Sequence, residues 1–176
     1  RPLTAVLAIM GGKYYLKGIS RMHERPIKDL VDALTQIGAK IDYIDNPGYP
    51  PLKISPGNIM CKKNIKIKGN VSSQYLTALL IAGPLCNQDL KIQIIGDLIS
   101  KPYINITLKL LSKFGIKYKN NKWRNFALRS SSLFKSPKKI KVEGDASSAS
   151  YFFAAGAIGG SVEVSNINKS SIQGDL

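Results

Sequence analysis

Ser72-Ser73-Gln74 places two hydroxyls and a carboxamide at the start of an apolar run that continues to about Ala82. A helix beginning there leaves unpaired N–H groups and a partial positive charge, so these side chains can join the backbone in holding a phosphate. A serine in that place also serves as a plain N-cap, yet two serines and a glutamine exceed what a cap requires. Gly69-Asn70, just upstream, frees the backbone to approach a ligand. Arg21-Met22-His23-Glu24-Arg25-Pro26 sets two arginines close together in a chain with 21 lysines and five arginines. A guanidinium offers a carboxylate or phosphate two aligned donors, which an ammonium cannot; the alternative is a surface ion pair with Glu24. His23, the only histidine, reads as an exposed residue at a helix start, since no nucleophile or acid partner can be placed beside it. In Gly96-Asp97-Leu98-Ile99-Ser100-Lys101-Pro102-Tyr103 a hydroxyl and a phenol again stand at a helix start. They suit a polyhydroxylated ring and its phosphate, while Tyr103 fits a core position equally well. Cys61 and Cys86 lie in neither a paired nor a His-flanked spacing, which predicts no disulfide and no zinc site and fits a reducing cytoplasm.

The elements that must position these groups follow from an internal repeat of about 75 residues. Gly69-Asn70-Val71-Ser72-Ser73 matches Gly144-Asp145-Ala146-Ser147-Ser148, Arg25-Pro26 matches Lys101-Pro102, and Gly38-Ala39-Lys40 matches Gly115-Ile116-Lys117. Ser147-Ser148 lacks the following glutamine and is expected to be a pure cap. Ile27, Leu30, Val31, Leu34 and Ile37 form the stripe of an amphipathic helix, and Tyr103, Ile106, Leu110, Leu111 and Phe114 are expected to form another. Each begins near a proline and ends at a glycine suited to a left-handed residue. Alternating segments at 13–17, 39–44, 65–68, 91–95, 116–119, 139–142 and 161–165 predict half-buried strands. The fold class expected is α/β, built from repeats, with helices inside sheets whose outer face is wet and lysine-bearing.

A chain of 176 residues with 44% apolar content can bury a substantial core. Its formal charge of +15 invites a nucleic-acid or anionic-membrane partner. The lysines alternate with apolar residues, as in Ile65-Lys66-Ile67-Lys68, so they read as solvated faces, and the abundance of Lys, Ile and Asn fits an AT-rich genome. The longest apolar stretch, 75–85, is interrupted and falls far short of the roughly 20 residues of a membrane span. The chain opens at Arg1 in a helix-like segment and closes at Leu176 without a terminating pattern, so it is read as an internal fragment.

Arg1-Pro2-Leu3, the Glu-Arg-Pro-Ile run at 24–27, Tyr49-Pro50-Pro51-Leu52, the Ser-Ser-Gln and Ser-Lys-Pro-Tyr strings, and Glu143 to Tyr151 together resemble 5-enolpyruvylshikimate-3-phosphate synthases of bacterial type. The resemblance implies the enolpyruvyl transferase fold, with inside-out domains of β-α-β-α-β-β units. It implies a domain boundary near 142–145, residues 1–142 being most of one domain and 143–176 the return into the other. It further implies that Ser72, Ser73, Gln74, Ser100 and Tyr103 bind shikimate 3-phosphate and that Arg25 and Gln74 bind phosphoenolpyruvate. The substrate's 5-hydroxyl would add across the enol double bond, and inorganic phosphate would then leave, in the shikimate pathway toward chorismate. No metal or cofactor, no nucleic acid and no membrane enter this expectation, and the complete protein is expected to be a cytoplasmic monomer. The proton-transfer groups fall outside the chain, so the fragment alone is expected to be inactive. Enolpyruvyl transfer to a nucleotide sugar, which would present a loop cysteine, and a basic nucleic-acid-binding domain are the competing expectations.

Overall fold

A computed structural model describes residues 1–61, 64–167 and 171–173. The chain packs as two compact units, Arg1–Lys135 and Ser136–Leu176. In the first, α1 (Pro2–Met10), β1 (Tyr14–Leu16), the short α2 (Ser20–His23), α3 (Lys28–Gln36), β2 (Lys40–Tyr43) and β3 (Leu52–Ser55) precede β4 (Asn64–Lys68). Then come α4 (Ser73–Ala82), a 3-10 turn (Gly83–Cys86), β5 (Leu90–Ile95), α5 (Lys101–Lys113), β6 (Tyr118–Asn121) and β7 (Asn125–Leu128). From β4 to β7 this order is one complete β-α-β-α-β-β module.

The strands form two sheets. β3 lies between β1 and β2 in an antiparallel sheet, and the four-stranded sheet runs β4-β5-β7-β6 with β4 and β5 parallel. Alternation sets which face is wet: Ile65, Ile67, Ile92 and Ile94 are buried, while Lys66, Lys68 and Lys91 between them are exposed. Helix α4 packs against both α1 and α5. Its Tyr75, Leu76, Ala78, Leu79, Leu80 and Ala82 are all buried, so it needs to be apolar on almost every side.

Several expectations from the sequence are corrected. The α3 stripe is buried as expected, but α5 buries Ile104, Thr107, Leu108 and Leu111 and leaves Tyr103 56% exposed, so Tyr103 is not a core residue. Residues 139–142 and 161–165 form no strand. Lys139 N–H turns back to Pro137, and Val142, 79% exposed, gives its carbonyl to the Asn166 side chain, so no ladder partner is present. β6 begins at Tyr118 because the Ile116 N–H closes the end of α5 on Leu111 and the Lys117 N–H goes to Ser132 Oγ. Cys61 and Cys86 are joined in a disulfide across a Cα–Cα distance of 6.4 Å, contrary to the expectation from spacing. The loop after β3 returns to the turn that ends α4, an approach that linear spacing does not reveal.

The second unit contains α6 (Ala146–Gly159). Its N-cap is Asp145, whose carboxylate accepts from Ser147 N–H and Ser148 Oγ–H, so the cap is the aspartate and not the serine pair. These bonds, with Ser148 foremost, hold the Asp145 carboxyl below its usual value. Glu143 accepts from the Ser171 hydroxyl and the Ile172 N–H, and Ala146 N–H donates to Gln173 Oε1, tying 143–146 to 171–173. Residues 174–176, the end of the segment expected from 143 to 176, lie outside the described residues.

Both helix-ending glycines adopt positive φ, 98° at Gly38 and 81° at Gly115. A Cβ on Gly38 would stand 2.1 Å from the Asn58 carbonyl oxygen, whereas one on Gly115 meets the Lys135 side chain at 3.3 Å. Gly115→Ala is therefore expected to cost about 1–2 kcal/mol, the left-handed penalty alone, and Gly38→Ala distinctly more, because backbone must move. Chemical denaturation of the two variants checks the order; equal losses would refute it.

Candidate anion-binding site

Parallel β4 and β5 each deliver the chain into a helix, so α4 and α5 start at the same carboxyl edge of the sheet, where open α/β sheets bind ligands. The two turns touch. Gly69 N–H donates to the Ile95 carbonyl at 3.0 Å, and Ile99 N–H donates to the Gly69 carbonyl at 3.2 Å. A Cβ on Gly69 would come within 2.6 Å of the Asp97 carbonyl oxygen. Thr77 and Thr107 then hydrogen-bond at 3.2 Å between the helices.

At the first start, Ser72 is the N-cap, its Oγ accepting from Gln74 N–H at 3.3 Å. The capping role left open by the sequence therefore falls to Ser72, and Ser73 begins the helix with its hydroxyl uncommitted. At the second, Ser100 sits in the left-handed region at φ 55° and makes no side-chain cap. Among the described residues the side chains of Ser73, Ser100 and Tyr103 have no hydrogen-bond partner.

Arg25 reaches the same region from another element. Arg21 takes Glu24 in an exposed ion pair at 2.6 Å, and Arg25 has no ion pair among the described residues. His23 ends α2, not a helix start, and its Nε2 accepts from Gly18 N–H at 3.3 Å. The backbone around Arg25 is pinned: Arg25 N–H to Met22 at 3.3 Å, Ile27 N–H to Gly48 at 2.8 Å, and the Pro26 carbonyl to two donors. Those donors are Tyr75 Oη at 2.7 Å and Arg1 Nη2 at 3.1 Å. Burial pushes the Tyr75 phenol above its ordinary pKa, so the proton it donates stays in place. Arg25, Arg1 and Lys17 line a cleft of about 230 Å³ together with Thr4, whose buried hydroxyl has no partner. Among the described residues no acidic side chain lines it.

Arg1 had no site role in the sequence reading. Its rarity as an arginine in a lysine-rich chain is no sufficient signal, since Arg21 and Arg129 share it and pair with surface carboxylates. Among the described residues no cluster of three or more His, Cys, Asp or Glu could hold a metal ion. No helix among them is long and apolar enough to cross a membrane.

The β-α-β-α-β-β module, with two helix starts at one sheet edge, is that of an α/β protein of the enolpyruvyl transferase fold. EPSP synthase from Acinetobacter baumannii has the same fold, with a TM-score of 0.67 at 22% identity over 89% of this chain and 34% of that one. Residues 1–176 match the family described as EPSP synthase (3-phosphoshikimate 1-carboxyvinyltransferase), and the chain belongs to that family. A 3-phosphoshikimate 1-carboxyvinyltransferase from Janthinobacterium sp. (strain Marseille) is 58% identical over 179 residues, which are all of this chain and 40% of that protein. One from Cupriavidus necator (strain ATCC 17699 / DSM 428 / KCTC 22496 / NCIMB 10442 / H16 / Stanier 337) is 55% identical over 180 residues, all of this chain and 42% of that protein. The chain thus spans about two fifths of the length of these relatives.

Ser72→Ala should lower stability by about 0.5–2 kcal/mol through loss of the cap, and Ser73→Ala should stay within about 0.5 kcal/mol. Thermal or urea unfolding of each single variant checks this. A larger loss at Ser73 would make it the structural serine.

Proposed function

We propose that this chain supplies one substrate-binding wall of an enzyme that transfers the enolpyruvyl group from phosphoenolpyruvate to the 5-hydroxyl of shikimate 3-phosphate. The observation that carries the proposal is the meeting of two helix starts whose Ser73, Ser100 and Tyr103 side chains are uncommitted, close to a pinned but unpaired Arg25. Ser72, Ser73, Gln74, Ser100 and Tyr103 would take shikimate 3-phosphate, and Arg25 with Gln74 would take phosphoenolpyruvate. Addition of the hydroxyl across the enol double bond and expulsion of phosphate require a site that holds two phosphates and two carboxylates. Helix starts, hydroxyls and a guanidinium are donors of that kind. The names carried by the relatives support this substrate over a nucleotide sugar, and Cys61, buried in a disulfide, is no loop nucleophile.

Acid–base groups for the reaction would come from outside residues 1–176, so this chain alone would be inactive. No metal, cofactor, nucleic acid or membrane is assigned a part, and the whole protein would be a cytoplasmic monomer. The Cys61–Cys86 bond would be reduced in that compartment; a free-thiol count on protein purified from cells under rapid alkylation is expected to find both thiols free, and finding neither would overturn the cytoplasmic assignment. We place the domain boundary at 142–145, with 1–142 and 143–176 on its two sides. Limited proteolysis that cuts within α6 before cutting at 136–145 would count against it.

Arg25→Lys in the full-length enzyme should raise the KM for phosphoenolpyruvate more than that for shikimate 3-phosphate, because one of two aligned donors is lost. Ser73→Ala and Ser100→Ala should do the reverse, by about tenfold each for a hydrogen bond to a charged group. Steady-state kinetics with both substrates varied tests the assignment. Equal effects on the two substrates would sink it.

A further inference from the structure

Arg1 holds the Gln74 amide by its oxygen. Its Nη1 donates to Gln74 Oε1, its Nη2 donates to the Pro26 carbonyl, and its Cζ lies 5.0 Å from the centroid of the Tyr75 ring. Tyr75, itself buried, donates to that same Pro26 carbonyl. One guanidinium therefore joins the start of α1, the first turn of α4 and the backbone next to Arg25.

A carboxamide has an accepting end and a donating end, and the two can exchange places by a half turn about the last side-chain bond. Only the donating end binds an anion. Free in water, Gln74 would present either. With Oε1 engaged by Arg1, Nε2 is the end left over, and among the described residues it has no partner of its own.

We infer that Arg1 is a positioning residue that fixes the donor orientation of Gln74, so that its Nε2 is presented to the anionic substrate. This deepens the site proposed above and rests on it. Lysine cannot substitute: a single ammonium does not reach Gln74 and Pro26 as a planar fork while lying on the Tyr75 ring. The rival is a purely structural role, in which Arg1 merely ties α1 to α4.

A double-mutant cycle in the full-length enzyme separates the two. Arg1→Met should raise the KM for phosphoenolpyruvate about tenfold, with a smaller change in kcat, and Arg1→Lys should restore only part. In a Gln74→Ala background, Arg1→Met should add much less than tenfold, because the amide it orients is gone. Multiplicative effects would overturn the inference in favour of the structural tie, as would an Arg1→Met variant that loses thermal stability with unchanged KM. If Gln74→Ala alone leaves both Michaelis constants unchanged, the substrate assignment of Gln74 fails first, and the inference fails with it. Should Arg1→Met not fold, Arg1→Lys with Gln74→Ala gives the same cycle.

Discussion

Parallel pairing of β4 with β5 is the constraint from which the site follows. Antiparallel neighbours can be joined by a two-residue turn, but parallel ones need a crossover, here supplied by α4. The crossover forces the following helix, α5, to leave from the same sheet edge as α4. Their starts are then brought into contact by Gly69, where a side chain would collide with the Asp97 carbonyl. Two helix N-termini side by side concentrate unpaired N–H groups and positive partial charge in one place. The positive partial charge at this edge is thus a property of the topology before any side chain is considered.

Holding those starts still falls to the buried length of α4. Tyr75, Leu76, Leu79 and Leu80 are almost fully removed from water, each worth about 1.5–3 kcal/mol on burial. Ser73 and Gln74 in its first turn are polar and accessible, and beyond them only Thr77 and Ile81 are partly exposed. Side chains at the start of a helix that is otherwise mostly core have little freedom to move as a body, which is what a preorganised binding wall would require. Division of labour within the turn follows from geometry. Ser72 faces back along the backbone and caps, while Ser73 and Gln74 face away from that duty.

What could be read from the sequence was whatever is local. The stripe from Ile27 to Ile37, the glycines at 38 and 115 and the strands at 65–68 and 91–95 are set by short-range periodicity and backbone sterics, and they are where the spacing places them. β3 and β7 went unseen, although each sits inside its sheet. Each is only four residues long and gains its burial from neighbours on both sides, a tertiary fact. The expected strand at 139–142 fails for the converse reason: its alternation is real, but there is no adjacent strand to complete the ladder. The serine pair at 147–148 resembles the pair at 72–73 in sequence and differs in role because Asp145, two residues ahead, captures both as donors. Of the site, the hydroxyls and Arg25 were legible as residue types; their convergence was not, since it depends on which strands are neighbours.

The arginines show how far rarity can carry an argument. Arg21 and Arg129 each pair with a carboxylate at the surface, contacts that a lysine could make and that contribute little when exposed. Scarcity in a lysine-rich chain therefore does not identify a functional residue. Geometry does. Arg1 uses both terminal nitrogens and its planar face at once, a combination with no lysine equivalent. Arg25 is the complementary case, with a fixed backbone and an unspent fork, lining the same cleft as Arg1 and Lys17 with no acidic side chain among the described residues of its lining. Like charges gathered without a counter-charge raise the energy of the empty site, and an anion entering it relieves that repulsion as well as gaining its own hydrogen bonds.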